Sequence, residues 1–345
     1  MRLLIVTQKV DQNDPVLGFF HGWIEEFAKH CEQVTVIALG VGVYDFSKNV
    51  RVFSLGKEGG ASHLTYTKRF YEYIWSERKN YDVVFVHMNQ EYVLLGGILW
   101  KLIGKKITMW RNHASGDFLT SIVAILSDKI FCTSEYSYTA RYKKTRIMPV
   151  GINTKLFLRD NTVARKGNSI LFLGRISPVK NVEVFIEALN ILDKEGVDFT
   201  ASIYGDSPEK DKEYYKKMSS LAATLEKKGK IIFHGSVSNS QTPLLYNQHE
   251  LFVNATQSGS FDKTILEAMA CGCIVVASNE SLKNILPESF LFDQGDAADL
   301  AAKLEFVMSL ANEKKEDYEK KLRQYAVQHD ITRLAEQLFS TFALL

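Results

Sequence analysis

SGSFDKTILEAMACGCIVVA, residues 258–277, is the stretch from which the fold can be predicted. Small polar residues begin it, an apolar run of helical character follows, and Gly272 separates that run from the strand-like IVVA. A helix that leads through one glycine into an apolar strand is typical of a parallel sheet covered by helices. One carboxylate, Glu267, lies inside the apolar run, four residues after Lys263. The stretch therefore predicts an α/β fold and raises the question of what stabilises the charge of Glu267.

The same alternation of strand and helix extends through the whole chain. The predicted strands form two series, residues 3–6, 34–39, 83–88, 106–110 and 129–134, and then 169–174, 199–205, 230–235, 251–256 and 273–278. Strands that are apolar at nearly every position are expected in a sheet with both faces covered. Each series therefore predicts a doubly wound, Rossmann-like parallel sheet.

The chain length favours two domains, because 345 residues exceed the size of most single cores. We expect an N-terminal domain at 1–150 and a C-terminal domain at 151–327, with an aperiodic linker at 148–168. The sequence from Asn312 predicts two amphipathic helices, and the last, at about 328–345, is expected to cross back to the first domain. Two such domains would face a cleft formed by the carboxyl ends of their strands, where ligands of such sheets bind.

The composition excludes several classes of protein. With 42 Lys and Arg against 40 Asp and Glu, the net charge of +2 gives no reason to expect a nucleic acid partner. Residues 1–150 hold 19 basic and 14 acidic residues, a balance of +5, and the remainder holds 23 and 26, a balance of −3. The basic half is either a solvated face or a site of weak peripheral contact with an anionic membrane.

The cysteines and the apolar segments indicate a cytoplasmic protein. Four scattered cysteines form neither a disulfide framework nor a zinc motif, which favours a reducing compartment. MRLLIVTQKV (1–10) predicts a first strand, because its apolar run is too short for a signal peptide. The longest apolar stretch, 92–103, contains Lys101 and is shorter than the ~18 residues of a membrane span. It is interpreted as a buried helix, with membrane contact as the lesser alternative.

Polar residues follow several predicted strands. In LGFFHGWIEEFAKHC (17–31), Gly18 either lets the backbone approach a ligand or simply permits a turn. In FLGRISPVKN (172–181), Arg175 and Lys180 lie at a strand end beside a helix start, an arrangement suited to phosphate oxygens or merely to solvent. In MWRNHASGD (109–117), His113 follows a strand, and its spacing alone favours a structural role.

The helix within 258–277 offers a second anion site. Ser260 or Asp262 can cap it, which leaves free N–H groups near Lys263 and Thr264. Glu267 lies one turn beyond Lys263, but Lys before Glu is the poorer order and such pairs contribute only ~0.2–0.5 kcal/mol. We therefore expect a group outside the helix to compensate the Glu267 charge, and a ligand hydroxyl is a candidate.

These motifs resemble the retaining glycosyltransferases of the GT-B fold, the family called glycosyl transferases group 1. The resemblance covers nearly the whole chain, and its most specific part is LEAMACGCIVVAS (266–278). The other matching segments are MPVGIN (148–153), FLGRISPVKN (172–181), FTASIYGDSPE (199–209), KIIFHGSVSN (230–239) and LLYNQHELFVNAT (244–256).

The resemblance implies roles for particular residues. Arg175 and Lys180 would neutralise the diphosphate of a nucleotide-sugar donor, and Glu267 would hold the ribose hydroxyls. His113 would lie beside the transferred sugar. The donor-binding set also includes Gly18, Gly205, Val237, Lys263 and Thr264. The family's first acidic residue would fall at Gly259 and is therefore missing, so either Asp262 supplies a carboxylate to the sugar or the hexose is held differently.

The resemblance further implies the reaction. A hexose would move from a UDP- or GDP-sugar to a glycan or glycolipid acceptor with retention of configuration and without a metal or cofactor. The protein would be cytoplasmic, with the inner face of the membrane as a further location. The alternatives are a sugar-nucleotide 2-epimerase of similar fold and a non-catalytic nucleotide-sugar-binding protein. A nicotinamide dehydrogenase is disfavoured because no G-x-G-x-x-G follows a strand.

Overall fold

The computed structural model of the protein describes residues 1–256 and 261–345. The chain forms two compact units. The first comprises Met1–Gly151 together with Ile331–Leu345, and the second comprises Ile152–Asp330.

Twelve strands are found in the described residues: β1 Arg2–Val10, β2 Gln33–Val41, β3 Val50–Ser54, β4 Val83–His87, β5 Lys106–Trp110, β6 Lys129–Cys132, β7 Thr145–Ile147, β8 Lys166–Leu173, β9 Thr200–Tyr204, β10 Ile231–Phe233, β11 His249–Asn254 and β12 Ile274–Ala277. The α-helices are α1 Phe19–Ala28, α2 His63–Ser76, α3 Glu91–Leu102, α4 Phe118–Leu126, α5 Val182–Lys194, α6 Lys212–Lys227, α7 Thr242–Gln248, α8 Lys263–Ala270, α9 Ala297–Ser309, α10 Asn312–Val327 and α11 Ile331–Phe342.

The first unit is built on a seven-stranded parallel sheet in the order β3-β2-β1-β4-β5-β6-β7. Alternate residues of β1 point to opposite faces, so Leu3 and Ile5 join one apolar core and Leu4 and Val6 join the other. Helices α1 and α11 contribute to the first core, and α2, α3 and α4 contribute to the second. Both faces of the sheet are therefore covered, as the apolar strands predict.

The last helix completes the core of the first unit. Leu334, Leu338 and Phe342 of α11 are buried in the same cluster as α1, and the rings of Phe27 and Phe339 lie 5.8 Å apart. The helix therefore belongs to the unit that contains the N-terminus. The predicted return of the C-terminal helix is thus confirmed.

Helix α3 corrects one interpretation of the sequence. The segment 92–103 was expected to be a buried helix, and Tyr92, Val93 and Trp100 are indeed buried. Leu95, Ile98 and Leu102, however, lie on the solvent side of the same helix. The helix therefore has a buried side and an exposed side, but large apolar side chains lie on both. No helix within the described ranges combines the length and the apolar character required to span a bilayer.

The second unit is built on a five-stranded parallel sheet in the order β10-β9-β8-β11-β12. Strand β8 has its sequence neighbour β9 on one side and β11 on the other, so the strand order reverses between β8 and β11. Ligands of open α/β sheets bind outside the carboxyl ends of the strands at such a point. The two-sheet α/β fold is as predicted, although β3 and β7 were not foreseen and β8 begins at Lys166, inside the expected linker.

Candidate active site

The loops after β8 and β11 bring charged side chains to one edge of the second sheet. These two strands pair in parallel, so their carboxyl ends are adjacent. Arg175 and Lys180 follow β8, while Asp262 and the start of α8 follow β11. The edge at which these residues collect is the one where the strand order reverses.

Lys180 and Asp262 form an ion pair at this edge. The Lys180 ammonium donates to Asp262 Oδ2 and lies 3.2 Å from Thr256 Oγ1. Asn254 Nδ2 donates to the same carboxylate oxygen at 3.2 Å. The side chains of Lys180 and Asp262 are only 18% and 15% exposed. The structure therefore joins two of the residues selected from the sequence, which lie 82 positions apart.

The charge of Lys180 keeps Asp262 ionised. Burial by itself raises the pKa of this carboxyl group, but the ammonium and the polar donors around it outweigh burial and lower the pKa to about 2. Lys180 is positioned by a short 3₁₀ turn, Pro178–Lys180, which ends at Asn181 with a left-handed φ of 47°. Lys180 thus precedes α5 by two residues and is not part of the helix itself.

Asp262 also caps helix α8. Its Oδ1 atom accepts from Thr264 N at 3.4 Å and from Thr264 Oγ1 at 3.0 Å. The helix ends at Ala270, and Gly272, just beyond the C-cap residue Cys271, has a left-handed φ of 80°, as predicted from its position. The cap is therefore Asp262, and the alternative, Ser260, lies outside the described residues together with Gly259. Both Asp262 oxygens already accept hydrogen bonds, and a direct contact from Asp262 to a sugar stays a prediction.

Glu267 is compensated from inside the protein. It is 3% exposed, and the hydroxyl of the buried Tyr246 on α7 donates to its Oε2 at 3.2 Å. The pKa of Glu267 is raised by burial. The charge of Lys263 and hydrogen bonds from Tyr246 and Asn239 oppose this rise without cancelling it. Burial likewise lowers the pKa of Lys263 against the opposing effect of Glu267. The expected group outside the helix is therefore present as Tyr246 of α7, and a contact from Glu267 to a ligand hydroxyl stays a prediction.

Sequence reasoning missed Tyr246. It lies in LLYNQHELFVNAT, a segment that was matched only as a whole, and nothing in its position singled it out from the neighbouring apolar residues. A buried tyrosine usually has a partner for its hydroxyl. The buried carboxylate and the buried tyrosine are 21 residues apart, and only the packing of α7 against α8 shows that they meet.

The Arg175 guanidinium, unlike the Lys180 ammonium, is available to bind a ligand. Arg175 is exposed, and its guanidinium has no hydrogen-bond partner among residues 1–256 and 261–345. Val237 is half-buried in the loop after β10, just before the turn that contains Asn239. Thr264 and Lys263 are half-buried in the first turn of α8. These residues lie in loops or helix starts that follow strands of one sheet.

Gly205 is required by a close backbone approach. Its φ is 143°, and a Cβ atom there would lie 1.9 Å from the carbonyl oxygen of Gly174. The loops after β8 and β9 cross at this point, with Gly174 N donating to Tyr204 O at 3.0 Å. Its role in donor binding stays a prediction, and the crossing alone explains the glycine.

Gly18 and His113 belong to the first unit. A Cβ atom on Gly18 would lie 2.5 Å from the carbonyl oxygen of Asp14, so a turn within its own loop accounts for this glycine. His113 is exposed in the loop after β5, and its Nδ1 lies 3.1 Å from Ser115 N. A role for either residue toward a donor stays a prediction.

Two cavities lie outside the residues selected from the sequence. One of about 700 Å³ in the second unit is lined by residues that follow β12, including Ser278 and Lys303, and contains no predicted site residue. One of about 220 Å³ in the first unit lies between α2 and α3 and is lined by rings such as Tyr66, Phe70 and Tyr92. Within the described residues, no group of three His, Cys, Asp or Glu side chains is placed to hold a metal ion.

A family model described as "Glycosyl transferases group 1" matches residues 154–327. Alpha-monoglucosyldiacylglycerol synthase of Streptococcus pneumoniae is 28% identical over 47% of this chain and 40% of its own length. A probable sucrose-phosphate synthase of Thermosipho melanesiensis is 30% identical over 51% of this chain and 41% of its own length. The chain therefore aligns with less than half of these relatives.

Solved structures resemble the chain over its full length. HepE of Anabaena in complex with UDP has a TM-score of 0.79 at 18% identity, and the match covers 100% of both chains. Sucrose-phosphate synthase of Thermosynechococcus elongatus has a TM-score of 0.80 at 16% identity, covering 100% of this chain and 99% of the other. At such identities the similarity establishes the fold, which is GT-B as the sequence predicts.

Proposed function

Because the chain belongs to the glycosyl transferases group 1 family, we propose that it is a transferase that moves a hexose from a UDP- or GDP-sugar to an acceptor hydroxyl. The proposal includes retention of the anomeric configuration and a reaction that needs no metal ion. One observation carries it: Arg175, Lys180 and the start of α8 collect at the edge of the second sheet where the strand order reverses. That edge offers positive charge and helix N–H groups to a diphosphate.

The donor-binding roles follow from chemistry. The exposed Arg175 guanidinium can form two parallel hydrogen bonds with phosphate oxygens. Lys180 supplies a second cation, and Lys263 and Thr264 lie where the α8 dipole is positive. Glu267, already fixed by Tyr246, is proposed to accept from the two ribose hydroxyls. Val237 and Gly205 are proposed to line the nucleotide.

The chemical step is leaving-group departure. As the glycosidic bond lengthens, negative charge grows on the β-phosphate, and fixed cations stabilise that charge more than they stabilise the ground state. In the proposed reaction a donor phosphate oxygen accepts the proton of the acceptor hydroxyl. This chain's residues then serve to hold the diphosphate and to neutralise it.

The acceptor is proposed to be a glycan or a glycolipid. The aromatic cavity between α2 and α3 is a candidate for part of it, because His63 and Tyr66, in the first turn of α2, line it with their rings. A cytoplasmic location is supported by the four cysteines, which are free thiols in the structure. The inner face of the membrane is included in this proposal.

UDP is the nucleotide to test first, since HepE was solved with UDP and with UDP-glucose. Thermal unfolding is measured with UDP, GDP and ADP, and the nucleotide that stabilises the protein identifies the donor class. The corresponding sugar nucleotide is then incubated with the protein, and released nucleoside diphosphate and the anomeric configuration of the product are measured. Stabilisation and release with retention support the proposal.

Arg175→Ala is the decisive variant. We expect kcat/KM to fall a hundredfold or more, because loss of one charge-stabilising donor costs on the order of 2–4 kcal/mol in activation free energy. Thermal stability should not change, since the Arg175 side chain is exposed. Activity within a few-fold of wild type would refute the assignment. Conversion of donor without acceptor would instead indicate an epimerase, and saturable binding without turnover would indicate a binding protein.

A further inference from the structure

Three helices of the first unit present an apolar outer surface. Helices α2, α3 and α4 cover the same face of the sheet, and their outward sides carry exposed large apolar residues. We call this the α2–α4 face and define it as Leu64, Tyr71, Trp75, Leu95, Ile98, Leu102, Phe118, Leu119 and Ile125. Single exposed apolar residues are ordinary, whereas a contiguous group of this kind marks an interaction surface.

The α2–α4 face is continuous. Tyr71 on α2 donates from its hydroxyl to the carbonyl oxygen of Leu95 on α3 at 2.8 Å. Helices α3 and α4 approach closely, because a Cβ atom on Gly97 would already lie 3.0 Å from Leu126 Cδ1. On α3 the exposed Leu95, Ile98 and Leu102 follow helical spacing and form a stripe opposite the buried one.

Basic residues border this surface at the C-terminal ends of α2 and α3, whereas the exposed Glu91 and Asp117 lie at the N-terminal ends of α3 and α4. At the C-terminal end of α2 the Arg78 guanidinium lies 4.4 Å from the centroid of the Trp75 ring. Lys101 in the last turn of α3 and Lys106 at the start of β5 are exposed. Asp128 pairs with Lys101 at 2.7 Å. On the helices themselves, the exposed Glu72 lies 3.7 Å from Lys68.

The chemistry of the face indicates its partner. Residues 1–150 have a balance of +5, which complements an anionic surface. Tryptophan and tyrosine beside Lys and Arg, around large aliphatic side chains, suit the boundary between lipid headgroups and acyl chains. In that position the apolar side chains leave water, while the bordering cations meet the headgroup phosphates.

We propose that the α2–α4 face docks this protein on the surface of an anionic phospholipid bilayer. The face lies in the first unit and contains none of the residues proposed to bind the donor, so the inference does not rest on the proposed function. Of the two interpretations of the basic residues, a solvated face and weak membrane contact, the proposal favours membrane contact.

The test uses two variants of equal chemistry. Leu102, Phe118 and Ile125 are 79%, 78% and 76% exposed, so Leu102→Gln/Phe118→Gln/Ile125→Gln should fold normally. The control Leu344→Gln/Phe306→Gln/Ile232→Gln changes the same residue types at other sites that are at least 44% exposed. Neither variant changes the net charge. Thermal unfolding, with and without UDP, verifies the fold and the donor site independently.

Binding is measured by flotation with vesicles of phosphatidylglycerol and phosphatidylcholine and with vesicles of phosphatidylcholine alone. We expect wild type to bind the anionic vesicles, with at least tenfold weaker binding at high salt or on the neutral vesicles. The face variant should bind the anionic vesicles at least tenfold more weakly, and the control should bind like wild type.

Several results would overturn the proposal. The proposal is wrong if wild type does not float with anionic vesicles, or if both variants lose binding equally. A third contrary result combines two observations: wild type sediments as a dimer that the face variant converts to a monomer, and neither protein binds vesicles. A second copy of the chain would then cover the α2–α4 face. Loss of the UDP response alone would contradict the proposed function and not the docking surface.

Discussion

Asp262 has two roles, because its carboxylate pairs with Lys180 and also caps helix α8. The substitution Asp262→Asn separates these roles. Asparagine caps helices about as well as aspartate, so the amide can still accept from Thr264. The substitution removes only the negative charge that faces the Lys180 ammonium. Because both side chains are largely buried, Lys180 is left with Thr256 as a polar neighbour and with too little water to solvate its charge.

The pKa of Asp262 gives the magnitude. It is about 2 in the folded chain against an ordinary value of 3.8. At about 1.4 kcal/mol per pKa unit, ionisation of this group contributes on the order of 2 kcal/mol to the free energy of unfolding at neutral pH. Since the pKa is lowered on folding, the contribution is complete above about pH 4 and is lost as the pH falls towards 2.

A double-mutant cycle measures this contribution. Wild type, Asp262→Asn, Lys180→Met and the double variant are unfolded in urea and followed by far-UV circular dichroism. We expect a coupling energy of about 2 kcal/mol. All four tryptophans lie in the first unit, at residues 23, 75, 100 and 110, so tryptophan fluorescence reports on that unit and serves as an internal reference.

The matched control is an exposed ion pair in the same unit. Glu213 and Lys216 lie 2.7 Å apart with side chains 86% and 71% exposed. A cycle with Glu213→Gln and Lys216→Met should give at most about 0.5 kcal/mol. If the coupling between Lys180 and Asp262 is no larger than this control, or does not decrease as the pH approaches 2, the reasoning about the buried pair is wrong.

Three further outcomes are expected. Tyr246→Phe should lower the free energy of unfolding by about 1.5–3 kcal/mol, because buried Glu267 loses a donor, and an unchanged urea midpoint would contradict this. Gly205→Ala should lower the free energy of unfolding by at least ~2 kcal/mol more than the control Gly229→Ala, because a Cβ atom at residue 205 would lie 1.9 Å from the Gly174 carbonyl oxygen. Residue 229 also has a left-handed φ, but nothing lies within 4 Å of its Cβ position, so the control should cost only about 1–2 kcal/mol. Asp262→Asn should tighten UDP binding several-fold in calorimetry, since it removes a negative charge beside Lys180, and weaker binding would contradict the proposed site.

The local sequence pattern was sufficient to predict much of the fold, because short stretches of sequence indicate apolar strands and helix ends. The left-handed Gly272 and the strand that follows it were predicted from sequence alone. Strands β3 and β7 were missed because VRVFS and TRI carry arginine, and their burial is incomplete at the sheet edges. Pattern cannot distinguish such an edge strand from a loop.

The candidate site was predictable as residue types but not as contacts. Arg175, Lys180 and Glu267 were selected from spacing and resemblance, yet the partner of Lys180 is Asp262 and a partner of Glu267 is Tyr246. Asp262 had been considered as a helix cap and as a ligand for the sugar, and its ion pair was not foreseen. These pairs join segments that are remote in sequence, so they depend on which strands lie side by side.

The sequence by itself determined the two α/β units, because burial on both faces of a parallel sheet requires apolar strands separated by helices. It also determined the positions of the cations, which follow strands and so must lie at a carboxyl edge. The tertiary structure alone decided which charges are neutralised and which are available. Lys180 is paired, and Arg175 is exposed without a hydrogen-bond partner in the described part of the chain. It also decided that the apolar α3 faces both the core and the solvent, because burial depends on neighbouring elements and not on the composition of one helix.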